Sequence, residues 1–210
     1  MNINYQKKLE ELVESLDYTP KLLLHSCCAP CSTRCIEFLS NYFDITILYY
    51  NPNISPIAEY EKRKEEQIKF INEFKSKHKL DYMDVEYNYN DFLNIAKGLE
   101  HSPEGGERCF KCYKMRLDKT AKLGKENNYD YFGTTLTVSP YKNSQVLNKI
   151  GEELSNIYGI KYLYSDFKKN NGYIRSIELS RVYNLYRQDY CGCIYSKIER
   201  DEKYEKLKNL

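Results

Sequence analysis

Apolar positions along the chain change their period repeatedly, and each change predicts an element. Over residues 5–16, Leu9, Leu12 and Val13 recur at the spacing of one helix face. The run KLLLH that follows is short and continuously apolar, which predicts a buried strand ending at His25. Ile36, Phe38, Leu39 and Phe43 supply the apolar positions of a second helix, with Pro30 near its start. DITILYY at 44–50 is β-branched and aromatic and stops at Asn51-Pro52, the clearest strand in the chain. A long charged helix is expected over 56–78, an alternating third strand over 80–87 and a short helix over 91–98.

The pattern breaks at HSPEGGE, 101–107, a loop by its proline and paired glycines. Beyond it the expected order is a helix from about 108 to 127, a strand over 129–139, a helix over 143–158 ending at Gly159, and a strand over 160–167. Residues 175–187 read as helix, YCGC as a turn, and the tail from Ser196 as a solvated helix. Alternating strands and helices predict an α/β fold with a parallel sheet flanked by helices. The domain division is a single unit over 1–210, with an N-terminal helix within 1–18 and a helical tail over 196–210. Ligands of such sheets sit beyond the carboxyl ends of the strands, near a topological switch, and residues 27–31 follow the first strand.

Composition changes this picture at one point. A net charge of +2 is too balanced to identify a partner, and 22 tyrosines with no tryptophan are explained by codon bias. No apolar run approaches membrane-spanning length, and the amphipathic start has no signal-peptide core, so no membrane association and a cytoplasmic location are expected. In that reducing compartment eight cysteines point to metal or redox chemistry rather than to disulfide staples.

The cysteines fall in three segments: Cys27, Cys28 and Cys31; Cys109 and Cys112, which open a helix; and Cys191 and Cys193 in the late turn. A C-x-x-C turn at a helix start brings two thiolates to one metal centre, and a helix N-terminus lowers thiol pKa. Three chemistries fit: a structural zinc site, thiol–disulfide exchange, and an iron–sulfur centre with thiolates left over. A closed zinc site takes four ligands, fewer than the seven clustered here. Cys35, four residues past Cys31 on a helix, reads as a small core residue. No G-x-G-x-x-G follows a strand, so no bound nicotinamide is expected.

Four blocks carry a resemblance. HSCCAPC at 25–31, ERCFKCYKMRL at 107–117, FGTTLTVSPYKN at 132–143 and LYRQDYCGCIYS at 185–196 together resemble the cobalamin-independent epoxyqueuosine reductases, the QueH family. The resemblance implies an iron–sulfur oxidoreductase that converts epoxyqueuosine to queuosine at the wobble position of tRNA, the last step of queuosine biosynthesis. It implies a [4Fe-4S] cluster held by Cys27, Cys28, Cys109 and Cys112, with a mononuclear iron nearby and no cobalamin. Cys31, Cys191 and Cys193 are then candidates for the second iron, or Cys191 and Cys193 for a redox dithiol. Electrons would come from an external donor, a ferredoxin- or flavodoxin-like protein or a chemical reductant. Motif placement resembles the adenine nucleotide α-hydrolase arrangement, a HUP-like, Rossmann-like fold, but residues 25–31 replace its S-G-G-x-D-S loop, which argues against ATP use. An ATP-dependent iron–sulfur tRNA thiolase and a zinc-stabilised RNA-binding module are the alternatives.

Substrate contacts are expected beside the motifs. Residues 107–125 hold seven Lys/Arg against two acids, and 161–187 hold six against two. Arg116, Lys142 and Arg187 lie inside motif blocks and are the candidates for phosphate contact. Arg116→Ala is accordingly expected to weaken tRNA binding and leave iron content alone. A wobble base must be splayed out against aromatic faces, for which Tyr113, Tyr141 and Tyr190 are placed. Thr134, Thr135 and Ser139 offer hydroxyls to the cyclopentane diol, and His25 and Tyr141 are candidates for proton transfer.

Overall fold

Leu22, Leu23 and Leu24 are all completely buried, because β1 (Lys21–His25) lies at the centre of a sheet covered on both faces. In the computed structural model, which describes residues 3–208, five parallel strands run in the order β3–β2–β1–β4–β5. The others are β2 (Asp44–Leu48), β3 (Leu80–Met83), β4 (Tyr131–Thr134) and β5 (Lys161–Tyr162). Successive side chains of a strand point to opposite faces. Leu22, Leu24, Ile45 and Ile47 therefore pack with Cys35 and Ile36 of α2 (Ala29–Leu39) and Phe70 of α3 (Ile57–Glu73). On the other face Leu23 meets Leu123 and Phe132 meets Leu117, both leucines from α5 (Glu107–Glu126), and Leu147 and Leu154 of α6 (Ser144–Tyr158) complete that layer.

The chain builds outward from β1 through β2 to β3, then returns by α4 (Tyr89–Ala96) and α5 to place β4 on the other side of β1. The switch point is the gap between the carboxyl ends of β1 and β4, where His25 is in register with Thr134. The remaining helices are α1 (Tyr5–Glu14), α7 (Gly172–Val182) and α8 (Ile194–Lys208). Of the expected terminal helices, residues 1–2 and 209–210 lie outside the described residues.

Several expected bounds are corrected. The fourth strand stops at Thr134, whose hydroxyl accepts the Leu136 N–H at 3.1 Å and turns the chain into a short 3-10 segment, Thr135–Val138. The fifth keeps only two residues, because Asn148 captures both the N–H and the carbonyl of Ser165 (3.0 and 2.8 Å) and draws the chain off the sheet. In β3 every residue is half-buried, so the expected alternation is absent at this sheet edge. The charged helix α3 ends at Glu73 rather than near 78, and α7 occupies Gly172–Val182 rather than 175–187. Gly159 does end α6 as read, in the left-handed conformation (φ 63°). Among the described residues no helix is long and apolar enough to cross a membrane.

Candidate metal centre

The strand-to-helix turn after β1 is built to present thiols. Ser26 is pinned from three sides: its N–H donates to Leu48 O (3.0 Å), its hydroxyl to Gln67 Oε1 (2.7 Å), and its carbonyl accepts from Asn51 Nδ2 (2.8 Å). Cys28 follows in extended conformation as the N-cap of α2, with Pro30 in the first turn and no side-chain cap. Cys31 sits one turn in, so three thiols gather at a helix N-terminus, whose unpaired N–H groups favour anions. The Cys27 and Cys28 sulfurs are 3.8 Å apart, and the three sulfurs lie within 4.8 Å of one another. Hydrogen bonds from Cys28 and Cys31, with help from the Lys142 and Arg116 cations, hold the Cys27 thiol well below its ordinary pKa. Burial pushes Cys28 up to about 12, and the Cys27 and Cys28 sulfurs push Cys31 well up. Of the three, Cys27 is the one whose thiolate form its neighbours favour.

A second set forms at two more helix starts. Cys109 lies in the first turn of α5 and accepts the Gly105 N–H at 3.2 Å; Cys193 precedes α8 and accepts the Ser196 N–H at 3.4 Å. Cys109, Cys112, Cys191 and Cys193 line one narrow cavity with Asn53, Tyr113 and Arg116. Burial raises the pKa of Cys109 and Cys193 and pushes Cys112 up to about 12. Cys27 and Cys31 open instead on an adjoining cleft of about 480 Å3, and Cys191 lines both spaces. The seven cysteines singled out from sequence therefore fall in two sets, the Cys27, Cys28 and Cys31 triad and the four that line the narrow cavity, with Cys191 common to both spaces, while Cys35 is fully buried in the core.

Cations surround the thiols. Arg116 is 1% exposed; its Nε donates to Cys112 O at 3.2 Å, and its Nη2 has no partner. Burial opposes its charge, but Cys112, Cys191 and Cys27 hold it protonated. Lys142, half-buried on the other side, is held protonated in the same way by Cys191, Cys27 and Cys31. A buried guanidinium with a free donor, beside thiols from three segments, fits an anionic thiolate-bound metal group, which would supply the charge it lacks.

Three residues that sequence reasoning passed over stand at the thiol sites. Gln188 donates from Nε2 to the Cys28 sulfur at 2.8 Å, and Asn53 presents a buried, unpartnered Oδ1 at the narrow cavity. Arg63, 1% exposed, donates from Nη1 to Cys191 O (3.1 Å) and is anchored through Nε by Glu59 (2.7 Å). A signal for Arg63 was available: it follows Tyr60 by three positions and precedes Phe70 by seven, on the buried face of α3.

Other expected site residues are placed as follows. Tyr141 is 77% exposed at the cleft rim, Ser139 and Lys142 line the cleft, and Arg187 and Tyr190 stand on its far wall. Tyr113 is buried against the narrow cavity. Arg116 is corrected: a fully buried cation facing thiols is not placed for a tRNA phosphate. Thr134 and Thr135 are corrected too, being buried away from both spaces. So is proton transfer by His25, whose Nε2 meets Tyr50 O (3.2 Å) and whose Nδ1 meets Thr134 Oγ1 (3.1 Å). Burial, reinforced by Arg116, lowers its pKa to about 3, so it is a neutral tie between strands.

Comparison with known proteins agrees with this inventory. A family model described as Epoxyqueuosine reductase QueH matches residues 22–199, a span that includes all eight cysteines. The chain is similar to Epoxyqueuosine reductase QueH of Staphylococcus epidermidis, 46% identical over 98% of this chain and 89% of that protein. It is similar to the protein of that name from Streptococcus pyogenes at 44% identity (92% and 78% covered) and from Thermotoga maritima at 34% (89% and 95%).

Proposed function

Because the chain belongs to the epoxyqueuosine reductase QueH family, an oxidoreductase family, we propose that it reduces epoxyqueuosine to queuosine at the wobble position of tRNA. The reaction takes up two electrons and two protons and releases the epoxide oxygen as water. The observation that carries this reading is the meeting of thiols from all three cysteine segments, Cys27, Cys112 and Cys191, at Arg116, a buried cation that makes no ion pair with a carboxylate among the described residues.

Cys27, Cys28, Cys109 and Cys112 are the proposed holders of a [4Fe-4S] cluster. Cys31, Cys191 and Cys193 either hold a second iron or, for the Cys191–Cys193 pair, cycle as a dithiol. When bound, such a cluster would supply electrons one at a time, and a second iron held by these thiols would add a Lewis acid for the epoxide oxygen. The chain's own part is to bind, orient and screen. Gln188 holds the Cys28 sulfur and Arg63 holds Cys191 in the wall between the two spaces. Ser139 faces the cleft, in place to receive the diol, with Lys142 beside it. Tyr141 at the rim is the proposed proton donor, and Tyr113 packs behind the centre rather than on the substrate. An external one-electron carrier, ferredoxin- or flavodoxin-like, or a chemical reductant, completes the reaction, and the tRNA substrate implies a cytoplasmic enzyme.

The test is iron, acid-labile sulfide and zinc per chain after anaerobic reconstitution, followed by turnover of epoxyqueuosine-containing tRNA. About four irons with matching sulfide, and a fifth where the second site fills, are expected. Cys27→Ala and Cys112→Ala should each lose the brown chromophore and the turnover together. Zinc alone, or normal cluster content in either variant, would overturn the assignment.

A further inference from the structure

Four side chains stack in series from the Cys191 loop to the surface. The buried Arg63 guanidinium lies 5.0 Å from the Tyr190 ring centroid. Arg200 of α8 lies 4.8 Å from that same ring and 5.8 Å from the ring of Tyr204. This alternation of cation and ring starts at the residue that holds the Cys191 carbonyl and ends on a tyrosine that is 48% exposed. Asp189 fixes its outer half, accepting from Arg200 Nη1 and, at 3.2 Å, from the Tyr204 hydroxyl.

The sequence of α8 has the matching peculiarity. Ser196, Glu199, Arg200, Lys203 and Tyr204 recur at three- and four-residue steps, and all line the cleft that reaches Cys27, Cys31 and Cys191. In an ordinary surface helix that stripe would be apolar and buried. Here Ser196 is its only buried member, and the stripe carries cations and a ring. Its acids are already engaged, Glu199 by Arg108 and Asp189 by Arg200. Tyr141, 77% exposed, lines the same cleft.

We propose that Tyr204 and Lys203, held out by the Tyr190–Arg200 stack, form with Tyr141 the surface on which the unpaired nucleotides of a tRNA anticodon loop stack while one of them is delivered to the thiols. The proposal rests on the tRNA-reductase reading and adds the surface that recognises the loop. Exposed rings accept nucleobases by stacking, with little regard to sequence, and Lys203 and Arg187 line the same cleft for phosphates. An acidic protein partner would engage Lys203 and leave the exposed rings of Tyr204 and Tyr141 uncovered, so RNA is the better match.

The experiment is fluorescence anisotropy of an anticodon stem-loop RNA with unmodified guanosine at the wobble position, titrated with the reconstituted full chain. Tyr204→Ala and Arg200→Ala should each weaken binding about 5- to 150-fold, equivalent to ~1–3 kcal/mol for one lost stack. Tyr204→Phe should bind within twofold of wild type, because the plane is kept. Tyr18→Ala, exposed at the opposite end of the strands, should bind as wild type does. Iron content and melting temperature establish that each variant is folded and loaded. Wild-type affinity in both alanine variants would overturn the proposal, including where they slow electron delivery and so mark a protein-docking face. Failure of wild type to bind the RNA would overturn it as well. Failure of the reductase reading is distinct: the loop carrying epoxyqueuosine would bind normally and not be reduced.

Discussion

Arg116 shows how far one residue's surroundings outrun its sequence context. In the sequence it is one of seven cations on a basic helix, a natural phosphate contact; in the structure it is sealed beneath Cys112 with one donor unused. Leaving a buried charge unpaired is costly, and replacing it with an apolar side chain of similar volume is commonly neutral or stabilising. Arg116→Met is therefore expected to leave the metal-free protein as stable as wild type or up to ~4 kcal/mol more stable. The same change should lower iron retention several-fold. Thermal unfolding of the metal-free protein and iron analysis after reconstitution check both halves; a destabilised metal-free variant with full iron would assign Arg116 a packing role instead. Gln188 and Asn53 were illegible for the same reason. An amide next to a thiol is defined by tertiary approach, and nothing in local spacing encodes it.

At the scale of elements, three helix N-termini, those of α2, α5 and α8, supply the thiols, and one loop joins the two thiol sets. Gly192 occupies a φ of +121°, and a Cβ there would stand 2.9 Å from both Arg63 Nη1 and Ile54 Cγ1. Gly192→Ala should cost about 1–3 kcal/mol through backbone strain and crowding. It should also speed modification of Cys191 by a thiol reagent in the metal-free protein. Unchanged melting temperature and reaction rate would show that the loop tolerates a side chain. The helices themselves were legible, since their apolar faces and their Gly and Pro punctuation are local. The lengths of β4 and β5 were not: YFGTTLTVS and IKYLYSDF have strand composition throughout, and only the Thr134 cap and the Asn148 clasp on Ser165 end them early.

For the whole molecule, the site lies beyond the carboxyl ends of β1 and β4, and the scaffold packing lies along the faces and edge of the sheet. A Cβ at Gly151 would fall 2.3–2.4 Å from ring atoms of Tyr162, where α6 lies against the edge strand β5. Gly151→Ala should destabilise the fold by about 1–3 kcal/mol by overpacking, yet leave iron and sulfide per chain unchanged. A loss of iron in a folded Gly151→Ala protein would show that the edge packing reaches the thiols. The sequence by itself determined the α/β class, the helix positions and the thiol inventory, because hydrophobic period, turn chemistry and cysteine spacing are written in neighbouring residues. Tertiary structure alone decided which thiols adjoin, that Arg116 faces sulfur rather than phosphate, and that α8 walls a cleft. Those are distances between segments up to 160 residues apart, as between Cys28 and Gln188, and only the folding of β1 beside β4 brings them within reach.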